Sequence, residues 1–334
     1  MKQMTKMKHM TKVLGGILGA IVALVPAAAG AQDYPAKPIH LLIPFTPGGG
    51  TDLTSRVISS KLTEVLKWQV LPENRPGAAG NLAVELAAKS PADGYTIVVG
   101  QPDNVMIGPY LYANVGYDTL KSFVPIIQLS ETSNALVTNA ASGARPPMTT
   151  MADLIAKGKT ASGLLWATAG NGGTGHLYGE LFKSVAAIKL VQVPYKGAAP
   201  ALADVMGGHV DVAIMSVPSV LGLVRGGKLV PVAVTTSKRS AMLPNTPTLI
   251  EAGVHVVDAA HWLGLFAPAG TPPAIVARLN AEFNRVLQMP EVREKIADGG
   301  ATAVGGSQED FAAFVRSEYA KWGKIVKDSG VKLD

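Results

Sequence analysis

The chain has 334 residues, of which 48% are hydrophobic and 16% charged, with no cysteine and a formal net charge of +6. The lack of cysteine excludes disulfides and cysteine-based zinc sites, so the fold must be stabilised by its hydrophobic core. The length favours two domains, and no basic stripe of the kind that binds nucleic acid is present.

Residues 1–31 are typical of a Sec-type signal peptide. Four lysines and no acidic residue lie in positions 1–12, an apolar run spans 13–25, and Ala29-Gly30-Ala31 matches a small-residue cleavage site. The apolar run is shorter than the roughly 20 residues that cross a bilayer. We expect cleavage after Ala31 and a periplasmic mature protein; an uncleaved membrane anchor is the alternative. Removing the four lysines lowers the formal net charge from +6 to +2.

After this segment, short apolar runs alternate with amphipathic helices. This alternation favours an α/β fold with mostly parallel sheets that are flanked by helices. The patterns predict strands at 39–44, 69–71, 95–100, 164–168, 190–194, 211–215 and 229–235, and helices at 51–68, 81–90, 174–187, 200–207, 218–226, 273–289, 290–298 and 307–328.

The elements form two groups, which predicts two lobes. Extended segments at 126–138 and 232–244 look like the crossings between them. The first lobe is expected to hold residues 32–131 plus 240–334, and the second residues 132–239.

Two Gly-rich loops join a predicted strand to a predicted helix, one in each lobe. Successive glycine N–H groups and a helix N-terminus can bind an anion without a basic side chain, and neither loop contains lysine or arginine. The alternative is a tight turn in which Thr51 or Asp52, and Thr174, cap the helices. We expect a shared cleft with ligand contacts from Phe45, Thr46, Pro47, Gly48, Gly49, Gly50, Thr51 and Asp52, and from Ala169, Gly170, Asn171, Gly172, Gly173, Thr174, Gly175 and His176.

The second loop also matches the G-x-G-x-x-G pattern of dinucleotide-binding proteins at Gly170, Gly172 and Gly175. That fingerprint requires an acidic residue at the end of the next strand to hold a ribose. The next strand instead ends in Val-Pro-Tyr at 193–195. We therefore expect no nucleotide and no cofactor.

Seven segments in register resemble the Bug family, the solute-binding proteins of tripartite tricarboxylate transporters. The resemblance covers nearly the whole chain after residue 31. Its carriers are IPFTPGGGTDLTSR (43–56), ENRPGAAGN (73–81), ADGYTIVVG (92–100), ATAGNGGTGHLYGELFK (167–183), VPYKGAAPALADVMGGHVD (193–211), GGKLVPVAVTTSKRSAMLPNTPTLIEAGV (226–254) and FAPAGTPPAIVARLNAEFNRVL (266–287).

The resemblance implies a two-lobed periplasmic binding protein fold (type II-like) that closes on a small carboxylate; we expect a di-, tri- or aromatic carboxylate, with the aromatic class following from Met215. It further implies a monomer that hands its ligand to a membrane permease and has no catalytic activity. Many family members carry an Asp-Asn pair where this chain has Met215-Ser216. Because methionine cannot pair with an ammonium group, we expect a ligand without an amino group; Met215 as a core-filling residue is the alternative.

Other residues are candidates for contacts with the ligand. Gln101 and Asn104 follow a strand end and are candidates for the far end of the ligand. Tyr195 and Lys196 follow another strand end and are candidates for the cleft rim, with solvated loop residues as the alternative. His176, in the first turn of its helix, is a candidate cap, packing residue or ligand contact and is expected to be neutral. His255 and His261 lack metal-ligand spacing. Two rival functions remain open: a sensor that signals to a membrane kinase, and a secreted enzyme, for which no nucleophile–base pair is visible.

Overall fold

The structure is a computed structural model that describes residues 34–140, 148–255 and 260–333. The predicted signal peptide and its cleavage site lie outside the described residues. The strands are β1 Ile39–Ile43, β2 Val70–Asn74, β3 Thr96–Gly100, β4 Phe123–Thr132, β5 Asn134–Asn139, β6 Leu164–Thr168, β7 Leu190–Pro194, β8 Val212–Ser216, β9 Leu229–Val234, β10 His261–Pro268 and β11 Thr302–Ala303.

The helices follow the strands in alternation over most of the chain. A 3₁₀ turn at Ala78–Gly80 and a π-helical turn at Pro102–Ile107 accompany them. The α-helices are α1 Gly50–Leu66, α2 Asn81–Ala88, α3 Gly108–Leu111, α4 Met151–Gly158, α5 Thr174–Ala186, α6 Ala198–Met206, α7 Val217–Arg225, α8 Pro273–Leu287, α9 Pro290–Asp298 and α10 Gln308–Ser329.

The described strands form two sheets with matching order. The six-stranded sheet runs β11-β4-β10-β3-β1-β2, and the five-stranded sheet runs β7-β6-β8-β5-β9. Strand β1 is parallel to β2 and β3, as β6 is to β7 and β8. One strand in each sheet, β10 or β5, is antiparallel to both of its neighbours. The α/β fold class is thereby confirmed, and both sheets are mixed: among the named strands four pairings are parallel and five are antiparallel.

Three long strands differ from the sequence expectation. The predicted crossing at 126–138 is occupied by β4 and β5, which are separated by Ser133 alone. Strand β10 was not predicted, although all of its residues are buried. An unbroken apolar run without alternation carries no period from which a strand can be recognised.

The site is positioned by how β1 and α1 pack. Ile39, Leu41 and Ile43 are buried in the first sheet, and Ile58 and Leu62 bury the inner face of α1. The chain therefore leaves the end of β1, turns through the first Gly-rich loop, and starts α1 against the sheet. Strand β6 and α5 repeat this arrangement in the second sheet.

Residues Lys37–Asp334 form one compact unit, and the predicted lobe boundaries stay a prediction. The chain passes from the first sheet to the second between Thr132 and Asn134, and returns between Val234 and His261. Within the described ranges, no helix is both long and apolar enough to span a bilayer.

Candidate functional site

The two Gly-rich loops lead into helices whose own N-cap residues are glycines and supply no side-chain cap. Gly49 precedes α1 and Gly173 precedes α5, and neither position supplies a capping hydrogen bond. Elsewhere Ser307 caps α10 by accepting the N–H of Asp310. The interpretation in which Thr51, Asp52 or Thr174 is the N-cap is therefore wrong. The first turns of α1 and α5 keep N–H donors that need partners from outside the helix.

Both loops line one pocket between the two sheets. Its cavity volume is about 50 Å³. The walls hold no lysine or arginine. They are formed by Phe45, Gly49, Gly50, Thr51, Gln101, Asp103, Asn134, Thr168, Ala169, Gly170, Gly173, Thr174, Gly175, Ala198, Ile214, Met215, Ser216, Ser219 and His261.

The first N–H of each helix is capped by a side chain from the half of the molecule that contains the other sheet. The N–H of Gly50, the first residue of α1, donates to Ser219 Oγ at 3.0 Å. The N–H of Thr174, the first residue of α5, donates to Asp103 Oδ1 at 2.8 Å. Asp103 follows the end of β3 by three residues, and Ser219 follows the end of β8 by three residues. Because β3 and β8 hold equivalent places in their sheets, the two caps are structural counterparts.

The two caps differ in charge. Ser219 contributes a hydroxyl, which also pairs with Ser216 Oγ at 2.9 Å. Asp103 contributes a carboxylate, which accepts a second bond from Gln101 Nε2 at 2.9 Å. Gln101 Oε1 in turn accepts from the Thr51 hydroxyl at 2.7 Å, so a polar chain joins the start of α1 to the start of α5.

Glycines permit this close approach of the two halves. A Cβ on Gly50 would lie 2.8 Å from Pro218 Cβ, closer than real side chains allow. A Cβ on Gly173 would overlap Asp103 Oδ1, and one on Gly197 would overlap Thr46 Oγ1. The Tyr112 hydroxyl also donates to the Asn171 carbonyl at 2.6 Å. The structure is therefore that of a closed cleft.

Two buried histidines lie at or behind the pocket wall. Burial lowers the pKa of His176, and its Nδ1 accepts the Gly172 N–H at 3.0 Å, in agreement with the expected neutral imidazole. Burial also lowers the pKa of His261, although the nearby Asp103 carboxylate opposes that shift. His261 Nδ1 lies 3.8 Å from Asp103 Oδ2. The described residues contain no cluster of three or more metal-ligating side chains.

A second, outer pocket adjoins the first and shares Phe45, Ala169 and Gly170 with it. Tyr195 and Lys196 both line it, as expected for cleft-rim residues, and so does Asn171. The Tyr195 hydroxyl donates to Asp204 Oδ2, and burial and this carboxylate raise the pKa of Tyr195 to about 12. Tyr195 is therefore a neutral hydrogen-bonding group at the mouth of the cleft.

Twelve of the predicted contact residues line the inner pocket, and Asn171 and Tyr195 line the outer one. The others line neither pocket. Asp52, for example, is buried and accepts hydrogen bonds from Gly48 N, Arg56 Nε and Asn74 Nδ2, whereas Pro47 and Gly48 are exposed. The predicted residues outside both pockets are Thr46, Pro47, Gly48, Asp52, Asn104, Gly172 and His176.

Sequence reasoning missed several pocket residues. Asp103 and Ser219 follow strand ends, the same signal that marked Gln101, and could have been found by it. Asn134 and His261 begin β5 and β10, and their strands were not predicted. The remaining missed residues are Thr168, Ala198 and Ile214.

The family model for the receptor of the tripartite tricarboxylate transporter family matches residues 54–331. Protein BugT of Bordetella pertussis is 34% identical over 329 residues, which cover 97% of this chain and 99% of BugT.

Solved structures show the same architecture. Rpa4515 of R. palustris, solved with adipate, is 36% identical with a TM-score of 0.84, over 90% of this chain and 99% of that one. MatC of Rhodopseudomonas palustris, with bound malate, is 29% identical with a TM-score of 0.81; the match covers 88% of this chain and 100% of MatC. The fold is that of a two-lobed periplasmic binding protein. The chain belongs to the receptor family of the tripartite tricarboxylate transporters.

Proposed function

We propose that this chain is an exported, non-catalytic solute-binding protein. It captures a small carboxylate between its two lobes and delivers it to a membrane permease of the tripartite tricarboxylate type. The periplasmic location rests on the predicted signal peptide at 1–31, and the transport role rests on family membership.

The observation that carries the proposal is a set of unpaired backbone donors on the pocket wall. Among the described residues, the N–H groups of Gly49 and Thr51 have no hydrogen-bond partner, and both residues line the pocket. They lie at the positive end of α1, where an anion is favoured. A carboxylate would use these donors without needing a basic side chain.

The binding mechanism is closure on the ligand. A ligand that contacts both halves binds the closed form better than the open form and shifts the population toward it. The cross-capping of α1 and α5 contributes to the same closed form, because neither Gly50 nor Thr174 reaches its partner unless the halves meet.

A catalytic role receives no support from the pocket. Ser216, Ser219 and His261 are potential nucleophile and base. In the described structure the two serine hydroxyls pair with each other, and neither has a hydrogen bond to His261. No observation favours a sensor over a transport receptor.

The expectation of a ligand without an amino group depends on Met215, which lines the pocket. No acidic side chain at this position can pair with a ligand ammonium group. Asp103, which follows another strand, brings a carboxylate into the same pocket. A ligand ammonium group could pair with Asp103 instead, which weakens the expectation of a ligand without an amino group.

A thermal-shift screen of the purified mature protein tests the proposal. The ligands are mono-, di-, tri- and aromatic carboxylates and acidic amino acids, with the matching amides and alcohols as controls. A true ligand raises the melting temperature by mass action, and calorimetry then gives its affinity. Binding of uncharged analogues as tightly as the acids, or turnover of any bound acid, would contradict the proposal.

A further inference from the structure

Asp103 places a buried negative charge in a pocket that is proposed to hold an anion. Its side chain is only 7% exposed, and it lines the inner pocket. Its Oδ1 accepts the N–H of Thr174 at 2.8 Å and the Thr174 hydroxyl at 3.3 Å, and its Oδ2 accepts from Gln101. The protein's own carboxylate thus accepts one of the N–H donors at the start of α5, where the sequence predicted a ligand anion, while the N–H groups of Gly173 and Gly175 keep no partner among the described residues.

No cationic side chain on the pocket wall balances this charge. His261 is an ionisable side chain of the same pocket wall, and its Nδ1 lies 3.8 Å from Asp103 Oδ2. That nitrogen is buried and has no hydrogen-bond partner among the described residues. A second anion placed near Asp103 would therefore meet repulsion with little screening, because the site is largely removed from water.

The same pocket wall also carries hydrogen-bond donors without partners. Asn134 is buried, and its Nδ2 has no hydrogen-bond partner within the described residues. Together with the N–H groups of Gly49 and Thr51, it offers donors for a carboxylate. The pocket thus presents unpaired donors and an anionic acceptor within one small space. A buried polar group without a partner is costly unless a ligand satisfies it.

We propose that Asp103 is a specificity-determining residue. It selects carboxylates whose neighbouring substituent donates a hydrogen bond, either a hydroxyl or an ammonium group, over carboxylates without one. The proposal rests on the proposed function, because it presumes that a carboxylate binds in this pocket. An ammonium group would also neutralise the Asp103 charge, so the ammonium compounds are expected to gain the most.

The test uses ligand sets that differ only at the carbon next to the carboxylate. Succinate, malate and aspartate form one set, and propanoate, lactate and alanine form another. Calorimetry measures each affinity for the wild type, for Asp103→Asn and for Asp93→Asn. Asp93 is the matched control, because it is exposed, pairs with Lys37 and lies outside the pocket residues.

For the wild type, we expect the substituted members of a set to bind at least about tenfold more tightly than the unsubstituted acid, which corresponds to about 1.4 kcal/mol. Asp103→Asn should keep the cap on α5, since its side-chain oxygen still accepts the Thr174 N–H. It should abolish the advantage of the ammonium compound and strengthen binding of the unsubstituted acid. Asp93→Asn should leave all ratios unchanged.

Two outcomes would overturn the inference and leave carboxylate capture intact. In the first, unsubstituted acids bind the wild type as tightly as their substituted partners. In the second, Asp103→Asn leaves the ratios unchanged while its melting temperature shows that it is folded. Failure of every carboxylate to bind the wild type would instead reject the proposed function itself, and this inference with it. A larger gain for aspartate than for malate would support the inference, whereas a gain for malate without one for aspartate would overturn the role assigned to the Asp103 charge.

Discussion

The two Gly-rich loops have similar sequences and equivalent places in their sheets, yet the helices that follow them are capped by side chains of different charge. The loop before α1 is capped by the neutral Ser219 hydroxyl and keeps the unpaired N–H groups of Gly49 and Thr51. The loop before α5 is capped by the charged Asp103. The N–H groups of Gly173 and Gly175, which hold the places of Gly49 and Thr51 in the second loop, also have no partner among the described residues. The two loops therefore offer similar backbone donors and differ in the charge of the side chain that caps the helix.

The largest expected effect comes from adding charge to the α1 loop. A Cβ on Gly49 would have its nearest neighbour, the Thr46 carbonyl oxygen, at 3.8 Å, so a side chain can be accommodated. We expect Gly49→Asp to weaken carboxylate binding by more than about 100-fold, because a like charge would occupy the anion site. Calorimetry measures the affinity, and Gly49→Ala is the control. Equal affinity of the wild type and a folded Gly49→Asp would reject the assignment of the anion to this loop.

A smaller effect is expected when closure is obstructed without a change in charge. A Cβ on Gly50 would lie 2.8 Å from Pro218 Cβ and 3.0 Å from Ser216 Oγ. We expect Gly50→Ala to weaken binding about tenfold, since it separates α1 from α7. Small-angle scattering should show less compaction on addition of ligand. Gly222→Ala is the control, because a Cβ there meets nothing within 4 Å, and a similar loss in both variants would refute the closure argument.

Removal of the neutral cap should have a milder effect. Ser219→Ala deletes the acceptor of the Gly50 N–H, and a hydrogen bond of this kind contributes about 1 kcal/mol. We expect affinity for the carboxylate to fall about fivefold, as measured by calorimetry, with no change in preference among carboxylates. A changed preference would mean that Ser219 contacts the ligand directly.

The smallest effect is a loss of stability at low pH. It distinguishes the loops because only in the loop before α5 does a histidine accept a backbone hydrogen bond, from Gly172 N to His176 Nδ1. Burial lowers the pKa of His176 below its ordinary value. As the pH falls, the unfolded chain therefore binds the proton first. Stability that is present above about pH 6.5 is lost below it.

We expect the free energy of unfolding to fall across this range. The melting temperature between pH 8 and pH 5 measures the loss, and His176→Gln should reduce the decline. His209→Gln is the control, since that side chain is 73% exposed. An identical decline in the wild type and His176→Gln would contradict the prediction.

Much of this arrangement could be predicted from local patterns. Strand β6 and helix α9 have the predicted bounds, and both loops were located by their glycines. The long strands β4, β5 and β10 could not be found in this way, since their burial is set by the other strands of the sheet. The role of Asp103 was equally hidden, because its partner Thr174 is 71 residues away and lies in the other sheet.

The one-residue connection at Ser133 has a consequence for how the ligand is sensed. Thr132 ends β4 in one sheet, and Asn134 begins β5 in the other. If the sheets rotate when the proposed ligand binds, the backbone torsions at this connection have to change. Asn134 lines the pocket and directly follows the connection, so a ligand that contacts its side chain binds next to one of the two places where the chain crosses between the sheets.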